Sequence, residues 1–336
     1  MDRSGGFYSE WLLHFPVMLT LNREEVERLL PMGECIEVMA EALSALARGE
    51  ALQPLRQAHW LPDRHGLLGV MPGALWDGDG GTVLGIKVIT VFPGNHERGE
   101  ESHLGSVLLF EGEMRKPLAR LDAAAVTEIR TAAASGLATR LLAREDAGDL
   151  ALLGSGVQAR SHLAAMKEVR PLRRVRVWSR HPENARRFAA EESERHGLSI
   201  ETAATAREAV EGADLVCTVT SAREPVVEGA WLAPGTHVNA AGACTPATRE
   251  LDTEAVRRAR VFVDRRESAL AEAGDLLIPI REGALAEDHI AGELGDLLLG
   301  RLPGRQSPDE ITLFESLGIA IEDVAAARHV WRKAAR

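Results

Sequence analysis

The sequence predicts an α/β protein of two domains. One is built on a parallel sheet flanked by helices, the other is of mixed α+β type. Three observations carry this. Residues 149–180 run strand, glycine turn, helix, strand, the order of a βαβ unit. Residues 55–110 alternate short apolar runs with Gly and Asp and show no helical period, which reads as an antiparallel meander. A length of 336 residues is enough to bury two cores.

In chain order, residues 1–17 lack clean periodicity and read as an N-terminal extension, with Met18 as an alternative start. Met18 to Leu21 opens as a strand, and Asn22 caps a helix with Glu24 and Glu25 in its first turn. Helical period runs over 24–30 and 35–48, placing Cys35 in a core. Strands follow at 55–60, 66–71, 81–91 and 105–110. Residues 122–143, rich in Ala and Leu, form a long helix leading into the βαβ unit, so the domain junction falls on it. Beyond residue 180, helices at 182–197 and 206–212 alternate with strands at 199–202, 213–220, 235–241 and 260–263, and Asp264 ends the last strand. A turn at Gly318 leads into an amphipathic helix over 321–334. That helix follows the parallel-sheet pattern, so it returns to the first domain. The expected division is 18–129 with 313–336 for the α+β domain and 130–312 for the parallel-sheet domain.

The turn inside the βαβ unit is Gly154-Ser155-Gly156-Val157-Gln158-Ala159, which fits G-x-G-x-x-G/A. Gly154 turns the chain sharply off the strand. Gly156 lets backbone approach a pyrophosphate, and Ala159 lets helix pack on strand, with the helix N-terminus facing the phosphates. The flanking strand, helix and second strand favour a Rossmann dinucleotide site over a turn with chance glycines. The second strand ends Trp178-Ser179-Arg180-His181. An NAD site usually carries a carboxylate there for the ribose 2′-OH; a carboxylate repels a 2′-phosphate, whereas Ser179 and Arg180 accept one. NADPH is therefore the expected cofactor, with NADH the alternative if Arg180 is simply solvated. Thr218, Thr220 and Ser221 stand at the C-terminal end of a buried strand, the ligand side of such a sheet.

A net charge of -11 argues against nucleic acid or an anionic membrane as partner. Cys35, Cys217 and Cys244 are far apart and odd in number, neither a disulfide framework nor a zinc pattern. No metal is expected, and a reducing cytoplasm is. No apolar run approaches the roughly 18 residues that span a bilayer. The N-terminus lacks the basic start, apolar run and small-residue cleavage site of a signal peptide.

Three cations interrupt apolar surroundings. Arg56 lies in the 55–60 strand, and Lys87 lies in Gly85-Ile-Lys-Val-Ile-Thr90. A charge there needs a ligand, a partner or a strand edge from which to snorkel. Arg130, followed by Thr131, stands mid-helix among small residues, so it is either paired or holds an anion. His103 reads as a loop histidine.

The segments GIKVITVFPGN, SHLGSVLLFEG, EIRTAAASGLAT, LLGSGVQARSH, VWSRHPENA, HVNAAGA followed by RELD, EAGDL and SLGIAIED occur in one order. In that order the chain resembles the ornithine cyclodeaminase/mu-crystallin family over about residues 18–334, and its mu-crystallin, ketimine reductase branch most. The resemblance implies a dimer of two-domain subunits. One domain is a Rossmann fold; the other is α+β, made from both chain ends, and its strands form the dimer interface. It further implies that Arg56 and Arg130 hold the substrate carboxylate and that Lys87 polarises or protonates near the reacting carbon–nitrogen unit. Gly154, Gly156, Val157 and Gln158 match the phosphate loop, and Ser179 and Arg180 the 2′-phosphate site. Ser102 and His103 match a family segment without an assigned role. One position departs. Cyclodeaminases carry Asp in the loop after the NAxG strand, where alignment through Pro246 and Glu250-Leu251 puts Cys244. A thiol, with a reference pKa of about 8.5, is mostly neutral at pH 7. Cys244 is then either a substrate contact or a small loop residue without a role.

The reading that follows is an NADPH-dependent reductase of a C=N bond beside a carboxylate. Its substrate is a cyclic ketimine acid or an imine of a 2-oxo acid, and it works as a homodimer. The alternatives are a cyclodeaminase or amino-acid dehydrogenase of the same fold, and a non-catalytic, crystallin-like NADPH-binding protein.

Overall fold

The computed structural model describes residues 18–62, 65–77, 81–92, 94, 103–113 and 116–336. The expected extension 1–17 and Ser102 lie outside the described residues. The chain opens with β1 (Leu19–Leu21), α1 (Arg23–Leu29) and α2 (Met32–Arg48). Asn22 and Glu25 form a capping box: the Asn22 side chain accepts from the Glu25 N–H, and the Glu25 carboxylate accepts from the Asn22 N–H. β2 (Ala51–Leu52), β3 (Gln57–Trp60), β4 (Leu67–Asp77), β5 (Gly81–Val91), β6 (His103–Glu111) and β7 (Pro117–Asp122) follow. The first sheet has the order β1-β7-β6-β5-β4-β2, with β3 also on β4. Among the described residues only the β1–β7 pair in it is parallel. Cys35 is buried in the core beneath α2.

α3 (Ala123–Leu142) starts at Asp122, whose carboxylate accepts from the Ala125 N–H. Its small residues let it pack on both sides, against α2 and β6 and against the second half of the chain. That half runs β8 (Asp149–Leu153), α4 (Val157–Val169), β9 (Arg174–Trp178), α5 (Pro182–His196), β10 (Ile200–Thr202), α6 (Ala206–Val210), β11 (Leu215–Thr218) and β12 (His237–Ala240). It continues with α7 (Thr253–Arg258), β13 (Ala259–Val263), α8 (Arg266–Glu272), α9 (Gly274–Arg281), β14 (Ile290–Glu293), α10 (Leu294–Leu298) and β15 (Ile311–Glu315). All these strands are parallel, in the order β10-β9-β8-β11-β12-β15-β13-β14. β8 to β10 run one way from the centre and β11 onward the other, which opens a crevice at the C-terminal ends of β8 and β11.

α11 (Ala320–Ala334) then crosses back and packs on β4, β5, α2 and α3. Gly85 permits this close approach: a Cβ there would stand 2.6 Å from Val324 Cγ2. α2, α3 and α11 cover one face of the first sheet. The other face leaves Leu68, Trp76, Leu84 and Leu104 exposed.

Three expectations change. The boundary at 312/313 falls inside β15, which is inserted between β12 and β13, so the chain leaves the second sheet only after Glu315. The Thr312–Glu315 stretch is too short and polar-flanked to stand out as a strand from its pattern alone. Arg56 lies just before β3 rather than within a strand. His103 opens β6, paired across from Val91, rather than lying in a loop.

Candidate active site

The glycine turn sits where β8 meets α4. Gly154 has φ +121, and a Cβ there would come 2.7 Å from the Val219 carbonyl oxygen. Only glycine fits without strain. Gly156 is the N-cap of α4, and a Cβ on it would meet nothing within 4 Å. Among the described residues no side chain caps this helix end, and Val157 is exposed. Gln158 Oε1 is buried without a partner among the described residues. Open space over Gly156 and an uncapped helix N-terminus suit a pyrophosphate. Ser155 and Ser179 hydroxyls hydrogen-bond at 3.1 Å, and Arg180 beside them is exposed. Thr218 is buried at the end of β11; Thr220 is half-buried and Ser221 exposed beyond it.

The three cations converge on the same side. Lys87 is 2% exposed, in the middle of β5 rather than at a sheet edge. Its Nζ lies 2.8 Å from Asp323 Oδ2 and donates to Thr127 Oγ1 at 3.3 Å. Arg130 Nε donates to Asp323 Oδ1 at 2.9 Å and its Nη1 to Glu322 Oε2 at 2.8 Å. Arg56 pairs with Glu272 at 2.7 Å, and its Nη2 donates to the carbonyls of Leu317 at 2.6 Å and Gly318 at 3.1 Å. Gly318, at φ +70, separates the two arginines, since a Cβ on it would collide with the Arg130 guanidinium.

Burial pulls the Lys87 ammonium down to about 8. Arg130 and Arg56 add to that fall, while Asp323 opposes it. Burial would raise the Asp323 carboxyl, but Arg130 and Lys87 outweigh it, so Asp323 lies below the usual carboxylate range. Arg130 is driven the other way: burial lowers it, Asp323 and Glu322 more than restore it, and the net shift is upward.

Because the second sheet is parallel, the segments after β8, β11, β12, β13 and β15 leave from one edge. These carry the glycine turn, Thr220, Cys244, Asp264 and Gly318. Glu250, fully buried, accepts from the N–H of Thr220 at 2.6 Å and of Gly242 at 2.9 Å, tying two of these loops together. Cys244 Sγ lies 3.7 Å from the Ala241 carbonyl, within electrostatic reach of Arg56 and Arg130. Burial raises its thiol, which is neutral at pH 7. No acidic residue stands near Cys244 in sequence before Glu250, yet the fold brings Glu315 and Asp264 into its field from other strands. Burial pushes both carboxyls upward too.

Sequence reasoning missed Asp323, Glu322, Glu272 and Thr127. A signal for the first two existed: Glu322 and Asp323 interrupt the apolar run Ile319 to Ala327, and two acids on a buried helix face need cationic partners. His103 lies in β6 and its pairing with Val91 is all the structure describes of it. Among the described residues no group of His, Cys, Asp and Glu could hold a metal ion, and no helix is long and apolar enough to cross a membrane.

Comparison with known proteins gives this chain relatives over more than nine-tenths of its length. The Δ1-pyrroline-2-carboxylate reductase of Thermococcus litoralis, solved with NADH and L-proline, superposes with a TM-score of 0.91 at 41% identity, covering 95% of this chain and 98% of that one. An archaeal alanine dehydrogenase dimer with bound NAD gives a TM-score of 0.88 at 33% identity, covering 95% and 96%. The ketimine reductase mu-crystallin of Mus musculus is 39% identical over 315 residues, 93% of this chain and 96% of that protein. The sequence profile of the ornithine cyclodeaminase/mu-crystallin family matches residues 17–336. On that match and on relatives 39% and 41% identical over more than nine-tenths of its length, the chain belongs to the ornithine cyclodeaminase/mu-crystallin family.

Proposed function

We propose that this protein reduces the C=N bond of an imine whose carbon bears a carboxylate, as in a cyclic ketimine acid, using a nicotinamide dinucleotide. The observation that carries the reading is Lys87: a fully buried ammonium, lowered to about 8, beside two arginines at the ligand edge of a dinucleotide-binding sheet. Relatives are named as reductases of pyrroline-2-carboxylate and of ketimines, and the two solved relatives described above hold NADH and NAD. When bound, the nicotinamide supplies the hydride. The Gly154 turn and the α4 N-terminus hold its pyrophosphate, and Ser179 with Arg180 favours NADPH over NADH.

Arg56 and Arg130 hold the carboxylate and so fix which face of the imine carbon is presented. Lys87 carries a proton close to neutral pH and delivers it from Nζ toward the nitrogen. Asp323 keeps that ammonium in place and balances it against Arg130. The carboxylates of Glu272 and Asp323 offset two of the three cationic charges, which leaves one to be met by the substrate carboxylate. Cys244 stands where cyclodeaminases carry Asp and supplies no carboxylate base for deprotonating an amine, which favours reduction over cyclisation of ornithine. The first sheet's uncovered apolar face suits a second copy of the chain, and the alanine dehydrogenase relative is a dimer; a mass of two copies is expected in solution.

The test is a panel of cyclic and linear imine acids with NADPH and NADH, followed by cofactor absorbance. Cyclic imine acids should turn over fastest with NADPH. Arg180→Ala should weaken NADPH by about 1–3 kcal/mol and leave NADH nearly unchanged. Formation of proline and ammonia from ornithine at a rate matching imine reduction would overturn the assignment.

A further inference from the structure

The segment that joins the two sheets for the last time, Ser316 to Ile319, touches both arginines at once. Leu317 and Gly318 carbonyls accept from Arg56, and Gly318 lies flush against the Arg130 guanidinium. Asp264, at the end of β13 and 1% exposed, holds this segment from the other domain. Its Oδ2 accepts from the N–H of Leu317 at 2.9 Å and of Gly318 at 2.7 Å, and its Oδ1 accepts from its neighbour Arg265 at 2.7 Å. Three backbone donors thus meet two carboxylate oxygens. No bond from Asp264 to either guanidinium is needed to complete this set. We infer that Asp264 is a positioning residue for the substrate: from the dinucleotide-binding sheet it anchors the 316–319 crossover, and the crossover sets the spacing of Arg56 and Arg130. This rests on the reading that these arginines hold a carboxylate, and it assigns the cofactor domain a part in substrate recognition.

Asp264 could instead act only as a negative charge that dilutes the arginines' field, because it lies within electrostatic reach of both. The two roles give opposite signs. Asp264→Asn removes the charge at constant shape. An asparagine offers one acceptor oxygen, and its NH2 faces a backbone N–H, so three donors can no longer be satisfied. A counter-charge alone predicts tighter binding of the substrate carboxylate; an anchor predicts weaker binding. Gly318→Ala changes no charge and presses a methyl group into Arg130 at a φ that favours glycine.

The experiment compares the full-length unmutated protein with both variants, using Δ1-pyrroline-2-carboxylate as substrate and NADPH as cofactor. NADPH affinity and L-proline affinity of the NADPH complex are measured separately by titration. The expected result in each variant is a KM and an L-proline Kd raised by about 10–100-fold, as a displacement near 1 Å can produce. NADPH affinity should stay within about twofold, less than the tenfold step worth about 1.4 kcal/mol. Unchanged or tighter L-proline binding in Asp264→Asn overturns the inference, and so does an equal loss of NADPH and L-proline affinity, which marks general loosening. If Asp264→Asn does not fold, the same split in Gly318→Ala decides. Absence of turnover in the unmutated protein counts against the proposed reaction instead, and L-proline titration still reads the anchor.

Discussion

A lysine without solvent contact is held by whatever neutralises it. For Lys87 that is Asp323, shared with Arg130, so one carboxylate from the C-terminal helix balances two cations from the first half of the chain. Lys87→Met should cut imine reduction by roughly 10²–10⁴-fold while leaving NADPH binding intact. A purified mutant that kept more than about a tenth of the rate would exclude Lys87 as proton source. The pH profile follows from the sign. A proton donor works in its protonated form, so the rate is full below about 8 and falls as pH rises through it. Asp323→Asn removes the charge that opposes this lowering, so the alkaline limb should move to lower pH. The cations Arg56, Lys87 and Arg130 were legible as charges in apolar company. Their acidic partners were not, because Glu322 and Asp323 also look like the ordinary acidic first turn of a helix.

At the scale of elements, two glycines of one turn make opposite demands. Gly154 needs its conformation; Gly156 needs its empty space. Gly154→Ala should destabilise the protein by about 1–3 kcal/mol, since φ +121 and the Val219 carbonyl both oppose a side chain. Gly156→Ala should change stability by less than about 0.5 kcal/mol. Its cost should appear in NADPH affinity, by about tenfold or more, where the phosphate would meet the methyl. Thermal melts without cofactor and NADPH titrations separate the two effects. The βαβ unit was readable because turn, helix and both strands follow a local pattern. β7 and β15 were not: β7 is a short strand held between its sequence neighbour β6 and the N-terminal β1, and β15 sits between β12 and β13, fixed by distant partners rather than by its own period.

Over the whole molecule the buried carboxyls set the pH dependence of stability. Burial pushes Asp275 and Glu322 up to about 8, and Glu315 upward as well. His162 and His237, lowered by burial to about 4 and about 3, offset part of this near pH 6.5, where unfolded histidine protonates, and Lys87, lowered to about 8, offsets part of it at the upper end, but the three carboxyls outweigh them. Between pH 6.5 and 8 the folded state therefore binds more protons than the unfolded chain, whose carboxyls have already ionised. Stability is present below this window and is lost as pH rises through it. Melting temperatures at constant ionic strength should be lower at pH 8 than at pH 6.5, and a flat or rising trend would show that these acids are ionised in the fold. The presence of one parallel sheet and one meander was visible in the sequence, because their strands differ in period and spacing.

The late return of the chain has a consequence for synthesis. A ribosome releases residues in order, and β15 must slot between two strands made at least 48 residues earlier, counting from Val263 to Ile311. Until then β12 and β13 have no neighbour on their facing edges, and the ion-pair partners of Lys87 and Arg130, Glu322 and Asp323, are still to be made. Neither half can finish as an independent unit on the way out. A nascent chain that stalls before residue 311 carries open strand edges and unpaired buried cations, and is a natural client for chaperones.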